Sequence, residues 1–202
     1  MLQIVIQGRG GQGAQTAGNL LAAAFFAAGR QVQCFASYGG ARRGTPVSSY
    51  LRVDDRPIRV RCDIERADAI LCFDATLLEG RLLAAADERT LIVVNSGRSR
   101  DDLARALPGY RFVPVDAIAI ARRTGLGRIV NSALLGAFAC AVGQPPLAAL
   151  QGTIRERSPR LTDENLAACA AGYAAAQALA ADDGAAAALQ DDDAHMAAPR
   201  AN

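Results

Sequence analysis

The chain has no lysine and no tryptophan, and its single histidine, His195, stands almost at the C-terminus. A nucleophilic side chain needs an activating partner, most often His or Lys. Ser48 and Ser132 therefore have no evident base. The missing lysine also rules out a P-loop: Gly13 is followed by Ala14-Gln15-Thr16, where that loop requires Gly-Lys-Ser or Gly-Lys-Thr. Carboxylates are scattered, with no paired acidic motif. The five cysteines, at 34, 62, 72, 140 and 169, form no C-x-x-C. Zinc and iron–sulfur sites draw on closely spaced thiolates, so this chain is expected to hold no metal and no cluster. Scattered cysteines in odd number fit a reducing compartment, and Cys72, within Ala69-Ile70-Leu71-Cys72-Phe73, reads as a small buried hydrophobe. No apolar run is long enough to cross a bilayer, and the first residues read as a strand rather than a signal peptide. The net charge of +2 supplies no field for nucleic acid. These absences lead to the expectation of a cytoplasmic protein with no nucleic-acid or membrane partner and no self-sufficient active site.

Glycine, in contrast, is concentrated near the N-terminus. Gly8-Arg9-Gly10-Gly11-Gln12-Gly13 follows the apolar run Ile4-Val5-Ile6 and precedes a helical period of Ala14, Ala17, Leu20, Leu21, Ala24 and Phe25. That is strand, glycine turn, helix. Such a turn lets an anion, usually a phosphate, approach the unpaired N–H groups and partial positive charge of the helix N-terminus. The spacing fits the dinucleotide fingerprint G-x-G-x-x-G, which also needs an acid at the end of the next strand for the ribose hydroxyls. No Asp or Glu occurs between the motif and Asp54. The loop suits a phosphate or a tight turn, and not NAD.

The length of 202 residues corresponds to about one domain. Strands are expected at Val32–Phe35, Val47–Val53, Ala69–Phe73, Leu91–Val94 and Arg111–Val115, the third and fourth of them buried, with Ile58–Arg61 returning beside Val47–Val53 as a hairpin across Asp54-Asp55-Arg56-Pro57. Helices are expected over Leu77–Ala86, Ile118–Arg123, Asn131–Val142, Leu147–Arg157 and about Thr162–Ala180. Strands alternating with helices, several as continuous apolar runs, indicate an α/β fold. The expected form is Rossmann-like, with a parallel or mixed sheet flanked by helices and a helical C-terminal part. Residues 1–181 form the domain. Residues 182–202, made largely of Ala, Asp and Gly, read as a disordered or partner-binding tail.

Several segments in order resemble one known family. Gly8-Arg9-Gly10-Gly11-Gln12-Gly13-Ala14, Ser37-Tyr38-Gly39-Gly40-Ala41-Arg42-Arg43-Gly44-Thr45-Pro46-Val47, the trailing Pro57-Ile58-Arg59, and Asn131-Ser132-Ala133-Leu134-Leu135-Gly136-Ala137-Phe138 are similar to the gamma subunit of 2-oxoacid:acceptor oxidoreductases. Gly39-Gly40-Ala41-Arg42-Arg43-Gly44 departs from the family's commoner Gly-Pro-Glu-Arg-Arg-Gly. The resemblance implies a chain that works inside a complex with alpha, beta and delta-type subunits. Thiamine diphosphate, Mg and iron–sulfur clusters would lie on those partners. Electrons would pass to ferredoxin or an NAD-reducing subunit, and the acyl group to coenzyme A. This chain would contribute structure and part of the coenzyme A environment, with no catalytic residue of its own.

Gly8, Gly10, Gly11, Gln12 and Gly13 are the candidate coenzyme contacts, against the reading that the glycines serve only a tight turn. Gln12 carries more weight, because a turn does not need its amide. Arg42 and Arg43, set between glycines, are candidate contacts to an anionic ligand or to a carboxylate of a partner subunit. Asn131 and Ser132 read as a helix cap. Two other functions stay open on the residues alone: a stand-alone Rossmann-type nucleotide-binding oxidoreductase, which titration with NAD(H) would reveal, and a non-catalytic scaffold. The particular 2-oxoacid is not legible.

Overall fold

Eight residues, Leu2–Arg9, buried continuously from Ile4 to Gly8, form the central strand β1. Ile4 and Ile6 point to one face of the sheet and Val5 to the other, and all three are buried. The computed structural model describes the backbone of residues 1–38, 44–78, 83–158 and 160–196, and the side chains of the same residues except Tyr38 and 183–196. The remaining strands are β2 (Gln31–Tyr38), β3 (Pro46–Asp54), β4 (Ala69–Cys72), β5 (Leu91–Asn95) and β6 (Arg111–Val115). They make one six-stranded sheet in the order β2-β3-β1-β4-β5-β6. From β1 to β6 the strands are parallel, whereas β3 lies antiparallel between β1 and β2. The sheet is therefore mixed.

The hairpin expected between Val47–Val53 and Ile58–Arg61 does not form. β3 pairs with β2 instead, from Tyr38↔Val47 to Gln31↔Asp54. With β1 on its other side, β3 has no free edge for a third strand. Residues 57–61 carry two exposed arginines and no regular structure. Their neighbours cover a buried charge: Arg52, 1% exposed, donates to the Cys62 and Asp63 carbonyls at 2.7 and 3.2 Å and to Gln33 Oε1 at 2.8 Å. Neutral acceptors thus satisfy this buried guanidinium.

Six α-helices occur among the described residues: α1 (Ala14–Ala27), α2 (Arg100–Ala106), α3 (Ala117–Arg123), α4 (Asn131–Val142), α5 (Leu147–Arg157) and α6 (Thr162–Met196). One sheet face is covered by α1, α3, α4, α5 and α6 around Leu21, Phe25, Ile120, Leu134, Phe138 and Ile154. Each such side chain contributes about 1.5–3 kcal/mol of burial. The other face is covered more thinly, by Ile64, Leu77, Leu78 and Leu103. Helix α4 runs so close to α6 that a Cβ on Gly136 would overlap the Cys169 carbonyl, and one on Gly172 the Ala133 carbonyl.

Three local differences from the sequence reading are seen. Of the helix expected over Leu77–Ala86, Leu83 and Ala84 are helical and residues 79–82 fall outside the described residues, while a 3-10 turn occupies Ala75–Leu77. Asp74 starts that turn by accepting the Thr76 N–H. Helix α2, not anticipated, is short and mostly polar, but Ser99 caps it by accepting the Asp102 N–H. The backbone of α6 continues past Ala180 to Met196.

Candidate functional site

Strands β1 and β4 are parallel neighbours whose connections leave in opposite directions: α1 leads from β1 toward β2, and the segment after β4 leads to β5. Ligands of open α/β sheets bind at such a switch point, outside the carboxyl ends of the strands. The loop Gly8–Gly13 lies there. Gly13 has φ +90° and precedes α1, which has no side-chain cap and no acidic residue in its first turn. Gly11, at φ +95°, faces open space, so its missing side chain serves the left-handed backbone.

Two neighbouring segments hold this turn in place. Arg9 donates from Nε to Asp74 Oδ2 at 2.8 Å, from Nη2 to Thr76 Oγ1 at 2.8 Å, and from Nη1 to the Gly44 carbonyl at 3.4 Å. Gly10 N–H donates to the Thr45 carbonyl at 2.8 Å, and Gly44 N–H to the Gly10 carbonyl at 3.3 Å. Asp74 also accepts from Thr76 N–H at 3.0 Å and Thr76 Oγ1 at 2.7 Å. Partial burial raises the Asp74 pKa, but the Thr76 and Arg9 hydrogen bonds outweigh it, and the net shift is downward.

The expectation that the turn does not need the Gln12 amide is overturned. Gln12 Oε1 accepts the Arg9 N–H at 2.6 Å, and Nε2 reaches Asp74 Oδ2 at 3.5 Å. Gly8 serves packing: a Cβ there would lie 3.1 Å from Phe73 Cβ and 3.2 Å from Gln12 Oε1. Gly10 acts through the two backbone bonds to the Gly44–Thr45 segment. Gly11, Gln12 and Gly13 line a cleft of about 640 Å³. Arg42 and Arg43 lie outside the described residues. The segment following them docks on the glycine loop through Gly44 and Thr45.

The rest of the cleft comes from the C-terminal half of the sheet. Phe73 and Asn95 follow β4 and end β5; Ile118 and Arg122 lie on α3; Arg128, Ile129, Val130 and Asn131 lead into α4. Asn95 donates to the Phe73 carbonyl at 3.1 Å and accepts Ala117 N–H at 3.2 Å, tying β4, β5 and α3 together. Asn131 donates to the Gly13 carbonyl at 3.3 Å, joining the starts of α1 and α4. Ser132 is buried and bonds Asn165 Oδ1 at 2.6 Å; α4 has no side-chain cap. Sequence reading missed Arg122 and Arg128. The available signal was their position around Gly125-Leu126-Gly127, between two helices at the carboxyl side of the sheet.

Among the described residues, no group of His, Cys, Asp or Glu could hold a metal ion. Among the described residues, none that lines the cleft is a Cys, His, Asp or Glu. No helix of the described residues is long and apolar enough to cross a membrane.

The family model for pyruvate ferredoxin/flavodoxin oxidoreductase matches residues 3–175. The pyruvate/ketoisovalerate oxidoreductases common subunit gamma of Thermococcus kodakarensis is 39% identical over 160 residues, 77% of this chain and 86% of that protein. The crystal structure of pyruvate oxidoreductase subunit PORC from Thermotoga maritima superposes with a TM-score of 0.74 at 31% identity, covering 85% of this chain and 94% of that one. A 2-oxoglutarate:ferredoxin oxidoreductase chain from Magnetococcus marinus shares the fold alone, with TM-score 0.73 and 22% identity over 88% of this chain and 31% of that one.

Proposed function

The chain belongs to the pyruvate ferredoxin/flavodoxin oxidoreductase family as a gamma-type subunit of a 2-oxoacid oxidoreductase complex, and from that premise we propose that it supplies the coenzyme A environment of the complex. The carrying observation is the glycine loop at the switch point, opening on a cleft without a nucleophile or base among its described lining residues. Such a cleft is suited to binding and orienting a ligand. In this proposal Gly11, Gln12 and Gly13 face the coenzyme, while Gly8 and Gly10 shape the loop. Arg42 and Arg43 approach the same ligand or a partner carboxylate. The Magnetococcus enzyme was solved with 2-oxoglutarate, coenzyme A and succinyl-CoA bound, which is in keeping with this reading.

Thiamine diphosphate, Mg and the iron–sulfur clusters belong, in this proposal, to alpha, beta and delta-type partners in the cytoplasm. Ferredoxin or an NAD-reducing subunit takes the electrons. A stand-alone NAD enzyme is disfavoured by the order of strands. The neighbour of β1 on the loop side is antiparallel β3, whose Pro46 and Val47 stand opposite Arg9 and Gly8. A dinucleotide fold needs a parallel strand there, ending in the ribose-binding acid.

The test is Gly11→Asn in the assembled complex. Asparagine tolerates the left-handed backbone, and the space in front of Gly11 is open. The expected result is a several-fold higher KM for coenzyme A, with an unchanged first half-reaction of oxoacid with thiamine. Unchanged coenzyme A kinetics would leave the loop as a turn only. The chain alone should not reduce viologen with any 2-oxoacid; turnover without partners would overturn its role as a subunit.

A further inference from the structure

We propose that strand β2 is a docking edge for a second copy of this chain, joining two sheets antiparallel into one continuous sheet. β2 ends the sheet on one side and β6 on the other. The eight residues of β2, Gln31-Val32-Gln33-Cys34-Phe35-Ala36-Ser37-Tyr38, include no charge, no proline and no glycine. None of its described side chains is buried. Sheet edges are ordinarily blunted by charge, by proline or by a covering element. The opposite edge shows all three: β6 starts at Arg111, carries Pro114 and is buried from Phe112 to Val115. β2 shows none of them.

The ladder determines which backbone groups of β2 point outward. The Gln3 and Gln7 carbonyls of β1 accept from Asp68 and Phe73 on the β4 side, and Gly10 N–H donates to Thr45 on the β3 side. Even-numbered residues of β1 therefore bond β3. Ile4 stands opposite Leu51 and Ile6 opposite Ser49, so odd residues of β3 face β1 and even ones face β2. Tyr50 and Arg52 stand opposite Phe35 and Gln33. Gln31, Gln33, Phe35 and Ser37 thus direct their N–H and C=O groups to β3, while Val32, Cys34 and Ala36 direct theirs away from the sheet. Among the described residues, no group outside β3 hydrogen-bonds the β2 backbone. Phe35 stacks on Tyr50 at 5.1 Å, with the Arg52 guanidinium 5.6 Å from its ring centre, which holds the edge in shape for pairing.

The composition of the edge selects the second copy. A charged partner strand would find no complementary charge along Gln31–Tyr38. A two-fold axis sets β2 against itself, and no like charges are then opposed. Beside the edge lies a groove of about 300 Å³ lined by Ala22, Ala23, Phe26 and Val32. Phe26 is 68% exposed. In a two-fold pair centred on Cys34, Val32 of one copy stands opposite Ala36 of the other. That brings the Phe26 groove of each copy beside the small Ala36 side chain of its mate, and the contact forms twice. Because β6 is blunted, the assembly closes at two copies and does not grow into a fibre.

The experiment is sedimentation of the full chain across the micromolar range, paired with amide exchange. A dimer that dissociates on dilution is expected, with protection at Val32, Cys34 and Ala36 that is lost as it dissociates. Phe26→Ser and Ser37→Lys change exposed side chains and should leave the circular dichroism of the chain unaltered. Each change counts twice across the axis, so each should weaken the dimer by about tenfold or more. Ala36→Pro removes an outward N–H and no bond to β3, and should abolish the dimer. A chain that stays monomeric throughout the range, or a dimer that Phe26→Ser and Ser37→Lys leave intact, would overturn the proposal. Protection of the same three amides only in the assembled oxidoreductase complex, around a chain that is monomeric alone, would give the edge to a partner subunit and overturn the second copy.

Discussion

The side-chain amide oxygen of Gln12 accepts the backbone N–H of Arg9 at 2.6 Å, closing the glycine loop on itself. Gln12→Ala should therefore act on the loop before it acts on any ligand. The part-buried neutral bond from Arg9 N–H is lost, worth about 0.5–1.5 kcal/mol, together with the long contact from Nε2 to Asp74. The expected outcome is a lower melting temperature for the isolated chain, with faster amide exchange at Gly10 and Gln12. Wild-type exchange in the variant would show that the loop holds without this bond.

Asp74 should make stability fall in acid. Its folded-state pKa is depressed below the ordinary 3.8 by the Thr76 and Arg9 hydrogen bonds, against the opposing effect of burial. A depressed carboxyl stabilises the fold fully above the unfolded value, and the gain is lost as pH falls through the folded value. Asp74→Asn should therefore lower the melting temperature at pH 7, and the difference from wild type should shrink as pH falls below the ordinary carboxylate value and through the depressed folded one. An equal difference at both pH values would show that Asp74 acts by shape and not by charge.

Gly136 marks where α4 and α6 touch backbone to backbone. A Cβ there would overlap the Cys169 carbonyl. Gly136→Ala gains helix propensity but forces the helices apart, and overpacking of this kind costs about 1–3 kcal/mol. Chemical denaturation should show a lower midpoint. A stabilised variant would mean that α6 shifts freely.

The cysteines should react in order of burial. Burial pushes the Cys72 and Cys169 thiols up to about 12, so both stay protonated and shielded near neutral pH. Cys34 and Cys140 are raised by burial to a lesser degree, and Cys62 is exposed. Brief alkylation at pH 7.5 followed by peptide mass spectrometry should find Cys62 modified first, and Cys72 and Cys169 only after unfolding. Early labelling of Cys72 would contradict its placement under the sheet.

Truncation after Ala181 should leave the α/β domain folded. The residues beyond 182 supply few large apolar side chains, and the core of α6 lies earlier, at Ala168, Cys169 and Ala176. Thermal unfolding of the truncated chain tests this. A large fall in melting temperature would show that residues 182–202 belong to the domain.

The local elements were legible because each depends on neighbours in sequence. The apolar runs Ile4-Val5-Ile6 and Ala69–Phe73 and the helical period of Ala14–Phe25 specify strands and a helix without distant partners. The glycine turn was legible for the same reason: left-handed backbone at Gly11 and Gly13 is a local demand. The motifs in their order also identified the family.

Tertiary structure alone decided which strands pair and which polar groups meet. Nothing local distinguishes β3 pairing with Ile58–Arg61 from β3 pairing with β2; the choice follows from β1 occupying its other edge. Gln12 looked free for a ligand because its acceptor role depends on how the turn brings Arg9 N–H within 2.6 Å. Arg122 and Arg128 became site residues only because α3 and α4 pack at the carboxyl ends of β1 and β4, more than a hundred positions from the glycine loop in sequence. Sequence periodicity carries short-range geometry. A cleft assembled from distant loops is set by long-range packing, which leaves no periodic trace.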